Sequence, residues 1–243
     1  MKIAIVTGAS YGLGKSIAEM LLKNDFKVYG VSRTDAKIKN ENFVWIKADL
    51  LKDESFDLIK FSIIESKIDV LFNNAGVVYA ENSLELKDET FANTFGLNLI
   101  APIKLTSVLK NKLKGSVIIN ISSTSDRFAE AGLGLYCSSK AALDIYFDAV
   151  AIENKDIKIL NILPVYIDTP MLKTISEKLK FSSDGATKPE KLAEAIGEII
   201  FSSREFESGA RVITLSTKSI EDTEDPEKLY YYNIDTKEFK KLK

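Results

Sequence analysis

Tyr136 and Lys140 stand four positions apart in a stretch of helical period, so a phenol and an ammonium share one face of one helix. A phenol ordinarily titrates near pH ~10, which makes it a poor proton shuttle at neutral pH unless a nearby cation favours its ionised form. With Lys140 beside it, Tyr136 is a candidate general acid toward a carbonyl or general base toward an alcohol. Such pairs also occur as plain surface neighbours; the weight comes from Ser122 and Ser123, which end the preceding apolar run. A hydroxyl at that sheet edge suits an oxygen of a bound ligand, and serves equally to terminate a strand.

The other chemistry-bearing segment is Thr7-Gly8-Ala9-Ser10-Tyr11-Gly12-Leu13-Gly14, entered from an apolar run and left through a helical pattern. Glycine is required where the backbone takes positive φ or comes closer to a phosphate than a Cβ permits. The helix that follows then offers unpaired N–H groups and its positive dipole end to a pyrophosphate. A rival reading uses the same residues: Ala9 to Ser16 reads A-S-Y-G-L-G-K-S, a phosphate loop of the ATPase kind with Ala9 in place of its first glycine. That reading needs an acidic residue after a second apolar strand, whereas the runs 70–73 and 117–121 lead into Asn and Ser. Ser32-Arg33-Thr34 follows the second strand, where an Arg pairs a ribose 2′-phosphate and an acid would hold a 2′-hydroxyl; the alternative is a solvated loop arginine. Asp49, after the third strand, suits adenine or a helix cap.

These segments need a frame. Apolar β-rich runs at 2–7, 27–32, 43–48, 69–73, 116–121, 157–163 and 211–216 alternate with helical patterns at 14–24, 54–66, 88–113, 135–154 and 189–202. This alternation predicts an α/β fold, a single doubly wound domain with a seven-stranded parallel sheet flanked by helices. Gly96 and Pro102 predict a kink or break near Asn98 in the 88–113 helix. Residues 1–216 read as one unit and 217–243 as an extension, with an acidic turn-like stretch at 221–227 and a hairpin around Asp235-Thr236.

Composition removes several alternatives. The 243 residues contain no histidine, which excludes imidazole triads and most zinc chemistry, and no metal site is expected. Cys137 is the single cysteine, so no disulfide forms within the chain, as suits a reducing cytoplasm. The net charge of −2 advertises neither nucleic acid nor an anionic membrane, and no apolar run approaches a bilayer span.

Taken in order, the Thr7–Gly14 turn, Asn73-Asn74-Ala75-Gly76, Leu97-Asn98-Leu99, Asn120-Ile121-Ser122-Ser123 and Tyr136–Lys140 resemble the short-chain dehydrogenase/reductase family over about residues 1–215. The resemblance implies a Rossmann-type oxidoreductase with catalytic residues Asn98, Ser123, Tyr136 and Lys140. Tyr136 would exchange the proton and Ser123 orient the substrate oxygen, its spacing from Tyr136 favouring it over Ser122. Lys140 would hold the nicotinamide ribose and lower the Tyr136 pKa, and Asn98 would hold a water. The implied cofactor cleft draws on Gly8, Ser10, Tyr11, Gly12, Leu13 and Gly14; on Ser32, Arg33 and Thr34; on Asp49 and Leu50; on Asn74, Ala75 and Gly76; and on Tyr136, Lys140, Pro164, Ile167 and Thr169. Arg33 with its neighbours favours NADP(H) over NAD(H). Tyr11 replaces the basic residue of many NADP-linked members, and Val165 the glycine that usually follows the proline.

Val78, Tyr79, Phe128, Leu133, Leu135, Val165, Tyr166 and residues 171–181 are the candidate substrate border; they are mostly apolar and point to a ketone, aldehyde or secondary alcohol of low charge. The expected partners are this small molecule and further copies of the chain as a homo-oligomer. A cofactor-binding regulator without turnover and a nucleotide hydrolase are the competing readings.

Overall fold

Along the first strand, Ala4 and Val6 belong to one apolar cluster and Ile3 and Ile5 to another, because successive side chains leave a strand on opposite faces. A run that is apolar at every position therefore has to be covered on both sides. The structure, a computed structural model, describes residues 1–201, 206–215 and 229–241.

Seven strands pair in parallel: β1 (Lys2–Thr7), β2 (Phe26–Ser32), β3 (Phe43–Lys47), β4 (Val70–Asn73), β5 (Val117–Ile121), β6 (Lys158–Pro164) and β7 (Ala210–Leu215). Helices α1 (Gly12–Lys23) and α7 (Pro189–Phe201) cover one face, through Ile17, Leu21, Leu192 and Ile196. Helices α2 (Glu54–Ser62), α4 (Ala101–Leu109) and α5 (Gly134–Glu153) cover the other, through Ile59, Leu105, Leu143 and Phe147. Two further helices, α3 (Asp88–Phe95) and α6 (Pro170–Leu179), complete the set among the described residues.

The sheet is larger than the seven strands expected. Two more, β8 (Leu229–Asn233) and β9 (Phe239–Lys241), extend it to nine among the described residues, in the order β3-β2-β1-β4-β5-β6-β7-β8-β9. β8 lies parallel to β7, and β9 returns antiparallel. The turn between them is held by Asn233, whose Oδ1 accepts from the Asp235 and Thr236 N–H groups at 2.9 and 3.1 Å. Tyr232 is buried in the cluster beneath α7, and its hydroxyl is hydrogen-bonded to Glu198. The acidic stretch 221–227 lies outside the described residues.

The break expected near Asn98 in the 88–113 helix takes the form of a π-helical turn at Gly96–Ile100 between α3 and α4. Pro102 has no N–H for the Asn98 carbonyl four residues back, and the Ala101 N–H bonds to Gly96 O instead. Helix α6 was not anticipated, although Thr169 caps its start by accepting from the Leu172 N–H and Pro170 opens its first turn.

Three asparagines cross the sheet in register. Asn73, Asn120 and Asn161 are neighbours on β4, β5 and β6; Asn73 Nδ2 donates to Asn120 Oδ1 at 2.9 Å, and Asn120 Nδ2 to Asn161 Oδ1 at 2.8 Å. All three are buried. Among the described residues, no helix is long and apolar enough to cross a membrane.

Candidate active site

The strands β1, β2, β4, β5 and β6 all point their carboxyl ends at one cavity of about 240 Å³. Every residue named above for the cofactor borders it, as does Ser123. Residues unexpected from spacing, among them Val31 and Ala48 at strand ends and Leu97 in the π-helical turn, add apolar wall.

The glycine turn is built for close approach. Gly8 and Gly12 hold φ of 69° and 57°, in the left-handed region. A Cβ on Gly14 would stand 2.3 Å from Gly8 O and 2.4 Å from Asn74 Nδ2. The turn and the β4 tip are joined by Thr7, whose Oγ1 accepts from the N–H groups of Asn74 and Ala75 at 2.9 and 3.0 Å. Asn74 Nδ2 donates to Thr7 O at 2.8 Å. The start of α1 thus faces the cavity with its first-turn N–H groups.

At the rim, Arg33 is exposed, and among the described residues its guanidinium has no ion pair or hydrogen bond. Ser32 differs: its hydroxyl donates to Thr34 O at 2.7 Å and accepts from Trp45 Nε1 at 3.2 Å, so it shapes the loop and has no hydrogen left for a ligand. Asp49 does not cap α2, which starts after Asp53. Its Oδ1 accepts from the Leu51 N–H at 3.1 Å, leaving the second oxygen toward the cavity. Lys15, essential to the phosphate-loop reading, points along α1 to Glu19 at 4.0 Å and does not border the cavity.

Across the cleft, α5 carries Tyr136 and Lys140. Lys140 is buried, its Nζ donates to Ile121 O at 2.8 Å, and it sits 5.6 Å from the centre of the Tyr136 ring. Burial pulls its pKa down to about 8, partly opposed by the Asp144 carboxylate. Tyr136 departs from the expectation of a phenol made acidic by Lys140. Burial pushes it up to about 12, and the Ser123 hydroxyl opposes that shift in part. With protein groups alone, the resting phenol holds its proton at neutral pH.

The two candidate serines part company. Ser123 Oγ is hydrogen-bonded to Ser125 within the 124–126 turn, whereas Ser122 Oγ donates to Asp144 Oδ2 at 2.8 Å beneath α5. Burial and the nearby Asp126 raise the Asp144 carboxyl well above its usual range, and Arg211 Nε lies 3.9 Å from both acids. Asn98 does not border the cavity. Its Oδ1 accepts from the Val77 N–H at 2.8 Å, and its Nδ2 donates to Val77 O and Ser139 Oγ at 2.9 and 3.0 Å. Both amide hydrogens are therefore committed, and the side chain braces the loop after β4. Gly76 lies between Asn98 and Lys140: a Cβ there would meet Asn98 Oδ1 at 3.2 Å and Lys140 Nζ at 3.8 Å.

Of the expected substrate border, Val165 and Met171 line the cavity, and Leu133 is core instead. Tyr166 stacks on Phe181 at 5.3 Å, tying the loop after β6 to the end of α6.

Comparison with known proteins agrees with this fold. The model of the short chain dehydrogenase family matches residues 2–180. A benzil reductase ((S)-benzoin forming) of Bacillus cereus is 32% identical over 202 residues, covering 74% of this chain and 81% of that protein. Among solved structures, the 3-ketoacyl-(acyl-carrier-protein) reductase of Brucella melitensis, complexed with NADH, superposes with a TM-score of 0.78 at 26% identity, covering 87% of this chain and 96% of that one. An alcohol dehydrogenase of Thermococcus sibiricus, complexed with 5-hydroxy-NADP, has the same fold, with a TM-score of 0.78 at 24% identity over 88% of this chain and 95% of that one.

Proposed function

The chain belongs to the short-chain dehydrogenase family, and from that premise we propose that it is an NADP(H)-dependent oxidoreductase acting on a ketone, aldehyde or secondary alcohol of low charge. The observation that carries this reading is a single cavity lined both by Ser123, Tyr136 and Lys140 and by the glycine turn. When bound, the nicotinamide supplies or accepts hydride; everything else falls to the chain. The cradle left by the missing Cβ atoms of Gly8 and Gly14, with the start of α1, fits a pyrophosphate. The free Arg33 guanidinium at the rim suits a 2′-phosphate, which is the basis for NADP(H).

In the reductive direction, Tyr136 donates its proton to the carbonyl oxygen as negative charge develops there, and Ser123 keeps that oxygen in line. Lys140, fixed by Ile121 O beneath the ring, offers its positive charge to a ribose hydroxyl and to the phenolate formed in turnover. Val165 and Met171 supply an apolar wall, in keeping with the substrate named for the Bacillus relative. We assign the chain to a homo-oligomer in the cytoplasm on the same family grounds.

The test is NADPH oxidation followed by absorbance against a panel of benzil, other ketones, aldehydes and acyl thioesters. Turnover with at least one carbonyl is expected, and Tyr136→Phe should lose it while binding NADPH as before. A folded protein that binds NADPH yet reduces nothing on the panel would return the regulator reading, and Tyr136→Phe at full activity would remove the phenol from the chemistry.

A further inference from the structure

Two consecutive positions at the tip of β5 are each tied to a different turn of α5. Lys140 Nζ donates to Ile121 O at 2.8 Å, and one helical turn further on Asp144 Oδ2 accepts from Ser122 Oγ at 2.8 Å. The residue after Ser122 is Ser123, which is extended and caps the 3-10 turn Thr124–Asp126. The turn of α5 before Lys140 carries Tyr136. These two ties therefore join the segment that ends in the Ser123 hydroxyl to the helix that carries the phenol.

The ties differ in what the proposed reaction asks of them. Lys140 has to offer its ammonium to a ribose hydroxyl and to the phenolate, so its hold on Ile121 O competes with turnover. Asp144 is 1% exposed and does not border the cavity, and Ser122 is 3% exposed. A bond shut off from water in this way cannot be exchanged for one to solvent, and breaking it strands a buried hydroxyl or carboxyl. Behind Asp144, Arg211 of β7 steadies the same corner. Its Nε lies 3.9 Å from Asp144 Oδ2 and 3.9 Å from Asp126 Oδ2, and its Nη2 donates to Asp148 Oδ2 at 2.5 Å. Asp126 belongs to the turn that Ser123 caps, and Asp148 to α5. Turn and helix thus converge on one guanidinium from the neighbouring part of the sheet.

We propose that the hydrogen bond between Ser122 and Asp144 is a positioning strut for the reaction: it holds the β5 tip against α5 while Lys140 is engaged, and so keeps the Ser123 hydroxyl in register with the Tyr136 phenol. The inference rests on the reading of Ser123 and Tyr136 as the pair that handles the substrate oxygen. Asp144 is in this account a positioning residue. It works as the acceptor for Ser122 and not through its charge, so an amide of the same shape replaces it, whereas alanine at 122 or leucine at 144 cannot make the bond. A reacting group displaced by about 1 Å costs on the order of a hundredfold in rate.

Ser122→Ala, Asp144→Leu, Asp144→Asn and the double variant Ser122→Ala/Asp144→Leu test this in the intact chain, with NADPH and the carbonyl that the wild type reduces fastest on the panel. Ser122→Ala and Asp144→Leu should each lower kcat at least about tenfold, with the Kd for NADPH within about twofold of wild type. The isotope effect on kcat from NADPH deuterated at the transferred position should grow, because hydride transfer becomes the slow step. The double variant should be no slower than the slower single one, since both remove the same bond. Asp144→Asn should keep kcat within about threefold of wild type. Should Asp144→Leu fail to fold, Ser122→Ala and Asp144→Asn decide the matter. Wild-type kcat in Ser122→Ala, or multiplied losses in the double variant, would overturn the strut. So would an Asp144→Asn as slow as Ser122→Ala, which would make the carboxylate charge the active feature, or a loss of NADPH binding in step with kcat. A wild-type chain inert toward the whole panel would instead defeat the proposed function itself.

Discussion

The side-chain amide of Asn98 holds Val77 by both ends of its backbone, accepting from its N–H at 2.8 Å and donating to its C=O at 2.9 Å, as a neighbouring strand would. Residues just beyond β4 have left the sheet ladder, and this amide replaces it. Asn98→Ala should leave both groups without that partner and cost about 1–3 kcal/mol, read from urea unfolding. The amide of Val77 should then exchange with solvent faster than those of β4. An unchanged unfolding midpoint would mean that water substitutes for the side chain at no cost.

Arg33 should decide between the two dinucleotides. If it pairs a 2′-phosphate, Arg33→Ala weakens NADPH by about 1.5–3 kcal/mol, the worth of a charge-assisted hydrogen bond, and leaves NADH nearly unchanged. Titration calorimetry with both cofactors measures the difference. Equal losses for both, or none, would make Arg33 an ordinary surface cation.

Lys140 makes stability depend on pH in a definite direction. Its folded pKa of about 8 lies below the ordinary 10.5, so between those values the unfolded chain carries a proton that the folded one lacks. Stability then rises with pH across that window, and below it the buried charge costs about 3 kcal/mol. Without added nucleotide, the stability difference between wild type and Lys140→Met should grow by up to this amount from pH 8 to 10.5. Tyr136 titrates in both proteins and cancels. A flat difference would show that burial does not depress the ammonium.

Gly14 and Gly185 should separate crowding from backbone strain. Gly14 is helical, so alanine there suffers only from the Gly8 carbonyl and Asn74 amide, 2.3 and 2.4 Å from its Cβ. Overpacking of that kind costs about 1–3 kcal/mol, and because both neighbours belong to the cleft, NADPH binding should fail with it. Gly185, with φ of 81° and open space around it, should lose about 1–2 kcal/mol as alanine and bind NADPH normally. Intact NADPH binding in Gly14→Ala would mean that the turn adapts.

Much of this was legible in the residues because it rests on local patterning. The glycine turn follows a continuous apolar strand, and the Tyr136–Lys140 spacing is one helical turn, so periodicity alone brings both to the same sheet edge. What escaped depends on contacts distant in the chain or on competition for a single hydrogen. Ser32 looked available until Trp45 arrived from β3, and Asn98 looked open to water until Val77 took it. The Tyr136 phenol was expected to be acidic from its neighbour, but burial outweighs a cation that is directed to Ile121 O. The capping signals of α6 were present in Thr169 and Pro170, but residues 171–181 were read as a substrate border and not as a helix.

The asparagine rungs at Asn73, Asn120 and Asn161 act as a key between three strands. Sliding any of them by one residue would swing its amide to the opposite face and strand its partner, or both partners in the case of Asn120, in the buried interior. The tips of β4 and β5, which lead into the cavity-lining Asn74 and Ser123, are thereby clocked to the same height. Heating should keep that alignment until the sheet itself comes apart, so the site fails all at once and does not drift out of adjustment.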